Sequence, residues 1–212
     1  MRRRSSCHSC GTAGFTLVEL AIVLTIITIL MFAILKSQSV VDQAVVAEAI
    51  ASIKDMRTAV ATFRQRYRYL PGDFPMDSGN PEISGVQAAC LMGGANAGNG
   101  NGSIEPGESP CASEHLIRAE LVKGDPLSPI LNRQGAVWLA RAADSGALAA
   151  FTAPVQNVLV LSNIPCDLAL EIDRKIDDGN LSSGSVRASQ DNAFCTTAGN
   201  QKVILASFAA AL

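Results

Sequence analysis

The sequence predicts an α+β protein: one long N-terminal helix packed on a small antiparallel β-sheet, with long loops closed by disulfides. Three observations carry that expectation. Between residues 15 and 70 there is neither Pro nor Gly, so nothing in the chain breaks a helix there. Further on, short apolar runs alternate with Gly-, Asn- and Pro-rich stretches, the pattern of short strands joined by turns. Four cysteines, Cys90, Cys111, Cys166 and Cys195, follow the helical region. An even set of this kind in an exported domain reads as two disulfides.

The first part of the helix is apolar all round. Residues 15–35 hold a single charge, Glu19, and as a helix they cover about 31 Å, the thickness of a bilayer core. A carboxylate in such surroundings costs several kcal/mol (of order) unless it meets a cation or a hydrogen-bond donor. Arg2, Arg3 and Arg4 precede the run with no acid before Glu19. The excess of basic residues keeps the N-terminus in the cytoplasm and places everything after Leu35 on the other side.

A basic start before an apolar run is the order of a secretory signal peptide, but here the small residue Gly14 precedes the apolar segment instead of following it. Cleavage after Gly14 would leave the hydrophobic helix on the mature chain. The run Gly14-Phe15-Thr16-Leu17-Val18-Glu19-Leu20 resembles the leader junction of type IV prepilins and pseudopilins, and the match continues as a compatible apolar helix. The resemblance implies cleavage by a prepilin peptidase after Gly14 and N-methylation of Phe15. It also implies that Glu19 faces the N-terminal amine of a neighbouring subunit in a filament. Two opposite charges in an apolar filament core attract strongly.

The resemblance divides the chain into a cleaved basic leader (1–14), a transmembrane and filament-core helix (15–35), an amphipathic continuation (36–70) and a pilin-like globular domain (71–212). It implies a structural subunit of a type IV pilus or a type II secretion-like filament. Expected partners are other pilin subunits, the prepilin peptidase, the inner-membrane assembly platform and the membrane itself. Before assembly the chain is expected as a single-pass protein of the bacterial inner membrane; afterwards it belongs to a periplasmic or cell-surface filament. Many pilins have a Pro about 22 residues after the cut, where this chain has Lys36. The alternative is a membrane-tethered extracytoplasmic binding protein, for calcium or DNA, that uses the same stem only for export. In the leader, Cys7-His8-Ser9-Cys10 is half of a zinc pattern without a second ligand pair, and it reads as incidental.

Past Leu35 the helix turns one-sided. Val46, Ile50, Ile53, Met56, Val60, Phe63, Tyr67 and Leu70 recur every three or four residues, with Asp42, Gln43, Glu48, Lys54, Asp55, Arg57, Arg64 and Arg66 between them, an amphipathic pattern. Leu70-Pro71-Gly72 ends it. The cluster Arg64-Gln65-Arg66-Tyr67-Arg68-Tyr69 reads as cations at a helix C-terminus in preference to a DNA contact. The chain carries a net charge of −2, and loss of residues 1–14 with their three arginines would leave −5. A mildly acidic body disfavours nucleic-acid binding by bulk charge.

Residues 77–113 are dense in Gly and Asn and predict a long loop, closed by Cys90–Cys111 if the pairing is local. Three pairings of the four cysteines are possible; Cys90–Cys111 with Cys166–Cys195 is preferred because each closes a local loop. Within the loop, Asn99, Asn101, Gly102, Ile104 and Glu108 fall on positions of a calcium loop, but Ala97 stands where its first carboxylate belongs. An array of Asn-Gly turns is the better reading. Residues 114–123 predict a short helix with Ser113 as N-cap, ended by Gly124-Asp125-Pro126. Strands are expected at 136–140, 147–151, 158–162 and 203–208, and a second short helix around Leu168, Ile172 and Ile176 with Gly179 as its C-cap. The segment I-D-R-K-I-D-D-G-N at 172–180 resembles one in a prepilin-like subgroup, as does R-Y-L-P-G-D-F-P at 68–75.

Asp173, Asp177 and Asp178 bring three carboxylates to one end of that second helix. Asp173 and Asp177 are four residues apart and share a face, so they repel unless a cation or Arg187 relieves them. The two readings are a structural calcium or a salt-bridged turn; no other cofactor is expected. His115 has no Ser, Cys or Asp partner motif, no glycine-rich phosphate loop follows a strand, and no carboxylate pair points to a cleft. The sequence therefore reads as non-enzymatic.

Overall fold

The computed structural model describes residues 16–133, 135–197 and 203–212, with backbone alone for 33–42. Its elements are α1 (Leu17–Tyr67), η1 (Ala88–Cys90), α2 (Ser109–Arg118), β1 (Ile130–Leu131), β2 (Ala136–Arg141), η2 (Ala142–Asp144), β3 (Asn157–Pro165), α3 (Cys166–Ile176), β4 (Val186–Ala188), α4 (Asn192–Thr197) and β5 (Ile204–Ala211). The fold is α+β. Five strands form one antiparallel sheet in the order β1-β2-β3-β5-β4. The chain divides into two compact units, Met1–Ala44 and Val45–Leu212.

In the second unit the helical spacing determines which residues of α1 are buried. Val46, Ala49, Ile53, Met56, Ala59, Val60 and Phe63 are buried in one core with Leu159, Leu161, Leu205 and Phe208 from the sheet. Ile50 and Tyr67 lie at the edge of the same core. Ala49 and Ala59, small residues between the larger apolar positions, are buried in the same core. α1 ends at Tyr67 because Arg68 turns into the left-handed region at φ 69°, a conformation that cannot propagate a right-handed helix. Its amide still donates to the Arg64 carbonyl.

The sheet separates its faces with a period of two. Register places Leu159 beside Leu139 and Ala210, and Leu161 beside Val137 and Phe208, and these six belong to the main core. The alternate residues Ala140, Val158, Val160 and Ala209 form a second cluster under Trp138, Phe151 and Val155. The sheet is thus buried on both faces. β1 and β4 contain two and three residues, too few to show a period in the sequence.

Both disulfides are local: Cys90–Cys111 joins η1 to α2, and Cys166–Cys195 joins α3 to α4. Three expected elements differ. The helix expected at 114–123 begins at Ser109, and Ser113 lies inside it, buried, instead of capping it. Pro110 in the first turn explains the earlier start, because its fixed φ favours helix initiation and it has no N–H to leave unpaired. Residues 147–151 are irregular and not a strand; the Leu148 amide reaches the Ala188 carbonyl, but the Ala150 carbonyl is taken by the Arg187 guanidinium. Finally, α3 closes at Asp177, while Gly179 sits two residues later with φ 81°.

Candidate functional site

Gly14 and Phe15 lie outside the described residues. The description begins at Thr16, which with Glu19 forms a capping box. The Thr16 amide and hydroxyl both donate to Glu19 Oε2, at 2.8 and 2.9 Å, and the Glu19 amide donates to Thr16 Oγ1 at 3.2 Å. Threonine at the N-cap with glutamate three residues on satisfies orphan amides reciprocally. The signature T-L-V-E is plain in the sequence, so Glu19 has a partner within its own chain that charge reasoning alone overlooks. Downstream, Leu17, Leu24, Ile29, Met31 and Phe32 are each more than half exposed, as are most apolar side chains between them. Among the described residues no helix is long and apolar enough to cross a membrane; the run expected at 15–35 extends past the last of these side chains.

The loop at 73–118 is organised by buried carboxylates that accept backbone amides. Asp73, 1% exposed, takes Asn101 N–H at 3.0 Å and Gly102 N–H at 2.7 Å on its two oxygens. Glu108 takes Asn99 N–H at 3.0 Å and Glu105 N–H at 2.9 Å; burial pushes its carboxyl up, against the pull of those two amides. Glu114 takes Gln87 N–H and the Arg118 guanidinium. The Asn99–Glu108 stretch is therefore an array of turns whose acids are occupied by amides, with Asn101 and Asn99 side chains bonding their own backbone two residues on.

His115 completes this region. It is fully buried against Phe63 and Phe74. Its Nδ1 accepts the Gly72 amide at 3.1 Å, which puts the proton of the neutral ring on Nε2. Nε2 has no partner. Burial disfavours the imidazolium and brings its pKa down to about 4. The ring is a neutral structural acceptor, without the arrangement of a general base.

The three aspartates at the end of α3 do converge. Carboxylate oxygens of Asp173, Asp177 and Asp178 lie within 4.8 Å of one another. Asp173 is fully buried and neither of its oxygens has a hydrogen-bond partner. Burial first, then the charges of Asp178 and Asp177, push its carboxyl up to about 6; the nearby Gly179 amide offsets a little of this. Asp177 Oδ2 accepts the amides of Ser185 and Val186, at 2.9 Å for the latter. Asp178 accepts Asn180 N–H and the Ser183 hydroxyl, and these two bonds hold its carboxyl below the usual range. Gly184, with φ 73°, allows the turn to close on this site: a Cβ there would fall on the Asp177 carboxylate.

No direct salt bridge closes the turn among the described residues, although the charge of Arg187 adds a little to holding the Asp178 carboxyl down. Arg187 is buried and gives its guanidinium to the carbonyls of Gly184 and Ala150, over the Phe151 ring. Arg57 of α1 feels the charge of Asp177, which favours its cation, but burial acts more strongly the other way; its Nε is buried without a partner. Among the described residues no ion pair reaches any of the three aspartates.

The basic-aromatic cluster at the end of α1 is partly self-contained. The Arg66 guanidinium lies 5.2 Å from the Tyr67 ring centre, and Tyr69 stacks on Phe74. Arg57, Arg64, Arg68 and Tyr69 line an open groove of about 1080 Å³. Comparison with family models, with curated proteins and with solved structures finds no match for this chain.

Proposed function

We propose that the chain is a structural subunit of a type IV pilus or a type II secretion-like filament, cut after Gly14 by a prepilin peptidase and assembled through its N-terminal helix. The observation that carries this reading is the run Gly14-Phe15-Thr16-Leu17-Val18-Glu19-Leu20 at the head of a helix whose large apolar side chains, from Leu17 to Phe32, are exposed. Apolar surface of that extent needs lipid or other subunits. Residues 15–35 are then a membrane anchor before assembly and filament core afterwards, and the body beyond them is carried on the outside.

The capping box refines the role of Glu19. Cleavage after Gly14 would create a charged amine on Phe15, next to the Thr16 amide that Glu19 already accepts. In a filament Glu19 would exchange or share its Thr16 bonds with the amine of a neighbouring subunit. Only the difference between the two arrangements favours assembly, so Glu19 selects register more than it supplies affinity.

Co-expression with a prepilin peptidase tests the reading. The expected product begins at Phe15 and carries one added methyl group by mass spectrometry, and Gly14→Leu leaves residues 1–14 attached. A chain that stays full-length beside an active peptidase would sink the proposal. The alternative, a tethered binding protein for calcium or DNA, draws its support from the three aspartates. Cross-linking in membranes separates the two: pilin subunits and an assembly platform are captured in the first case and neither in the second.

A further inference from the structure

The loop at 73–118 contains two Asn-Gly pairs, Asn99-Gly100 and Asn101-Gly102, and the filament reading gives them no role. Asn-Gly is where an asparagine side chain reacts most easily with its own backbone, because glycine has no Cβ to obstruct the approach. The nitrogen of the glycine loses its proton and attacks the asparagine Cγ. A new N–C bond closes a succinimide ring, the Cγ–Nδ2 bond breaks, and ammonia leaves with the released proton. Water then opens the ring at one carbonyl or the other, giving aspartate or isoaspartate.

Both asparagines are exposed, so water and base reach them. The fold acts on the nucleophiles instead. The Gly102 amide donates to Asp73 Oδ2 at 2.7 Å, and the Gly100 amide donates to the Asp73 carbonyl at 3.0 Å. Each nitrogen must give up that bond before it can turn on Cγ. Facing a carboxylate, the Gly102 nitrogen is also harder to deprotonate, since the anion formed would meet a like charge. The Asn101 side chain is tethered as well: Oδ1 accepts the Ser103 amide at 2.8 Å, and Nδ2 donates to Glu105 Oε1 at 3.4 Å.

We propose that Asn101 is a latent deamidation site that the Asp73 carboxylate keeps unreactive, so that opening of the loop commits the chain to a permanent chemical change. The two pairs are guarded differently, Gly102 by a side chain and Gly100 by the main chain. Loss of the Asp73 carboxylate therefore releases Asn101 selectively. The change also resists reversal. An aspartate at position 101 turns a donor to Glu105 into a second negative charge beside it. An isoaspartate adds a methylene to the backbone between the two amides, of Asn101 and Gly102, that Asp73 collects. The site stands apart from the filament reading, and either can fail without the other.

The test incubates the full-length chain, in detergent micelles and mildly alkaline buffer, folded or in denaturant. Peptide mass spectrometry with fragmentation then assigns deamidation to position 99 or 101. In the folded parent both asparagines should react at least about tenfold more slowly than in denaturant, the factor that one bond to a charged group supplies. Asp73→Ala should speed Asn101 by about tenfold or more and leave Asn99 at the parent's rate. Glu108→Ala, which frees the Asn99 and Glu105 amides but not that of Gly102, should leave Asn101 slow. If Asp73→Ala does not fold, the parent still decides: the Gly102 amide should be protected in hydrogen exchange by about the factor that slows Asn101. Equal rates in folded and denatured parent, or an unprotected Gly102 amide, would overturn the proposal. So would a folded Asp73→Ala that speeds both asparagines alike, or a Glu108→Ala that speeds Asn101 as much as Asp73→Ala does.

Discussion

Two regions of this protein bury acids, and they treat them in opposite ways. In the loop at 73–118, Asp73 and Glu108 each receive two backbone amides, and Glu114 receives the Gln87 amide, the Gln87 side chain and the Arg118 guanidinium. At the end of α3, Asp173 is buried as deeply, and neither oxygen has a well-formed hydrogen bond, only the weak influence of the nearby Gly179 amide. In the first region the carboxylates organise the loop: they gather the amides of a Gly- and Asn-rich segment that forms no strand and has few apolar side chains to bury. In the second region the turn is organised by Asp177 and Asp178, and Asp173 is left as a charge awaiting a proton or an ion. Burial alone therefore does not say what a carboxylate is for; the donors around it do.

The largest expected effect breaks the saturated region. Asp73→Ala leaves the Gly102 amide without its acceptor and the Asn101 amide with only the Asn99 side-chain oxygen, and a bond to a charged group is worth about 1.5–3 kcal/mol. A loss of about 3 kcal/mol is expected by urea denaturation. If the loss is under about 1 kcal/mol, these bonds are replaced by water and the loop is not held as described.

Next comes the pH response of the same region. The unfolded chain protonates His115 near pH 6.5, whereas in the fold it resists protonation until about pH 4. The unfolded state thus binds more protons in that window, so stability is fully present above pH 6.5 and lost as pH falls toward 4, by about 3 kcal/mol in all. Melting curves from pH 7 to 4.5 should show this fall, and His115→Asn should show a smaller slope because it cannot take up the proton. Equal slopes for the two proteins would remove His115 as the source.

A smaller effect is expected from Gly184→Ala. The left-handed φ and the overlap with Asp177 should together cost about 2 kcal/mol, and the damage should fall on the aspartate turn while the disulfide-closed loop keeps its amide protection in hydrogen exchange. Loss of protection in both regions at once would mean that they unfold as one unit and that the contrast drawn between them is only geometric.

How much of this was legible in the sequence depends on the range of the interactions involved. The long helix, its apolar stripe, the antiparallel strands at 136–140, 158–162 and 203–208 and the local disulfides follow from short-range pattern. So does the convergence of Asp173 and Asp177, four residues apart on one helix. The capping box of Thr16 and Glu19 is equally short-range, since the two residues are three apart. By contrast, Asp73 meets Asn101 and Gly102 across about 28 residues, and the partner of His115 is 43 residues away; no periodicity encodes either. The strand expected at 147–151 was apolar enough, but its carbonyl partner is a buried arginine from β4 that composition does not reveal.

The smallest expected effect is also the one that sharpens the contrast most. In chelator at pH 7, Asp173 is an ionised group in a buried position beside two other negative charges, with its carboxyl pushed up to about 6. Asp173→Asn removes that charge while keeping the shape, and its amide finds acceptors in Asp177 and Asp178. The variant should therefore be more stable than the parent by about 1 kcal/mol, a rise of a few degrees in melting temperature. At the saturated site the corresponding change, Asp73→Asn, should destabilise, because one of two amides there loses its oxygen. Opposite signs for the same substitution would establish that one acid is held by the fold and the other is held against it. A destabilised Asp173→Asn in chelator would mean that Asp173 has donors of its own, and the two regions would then differ only in degree.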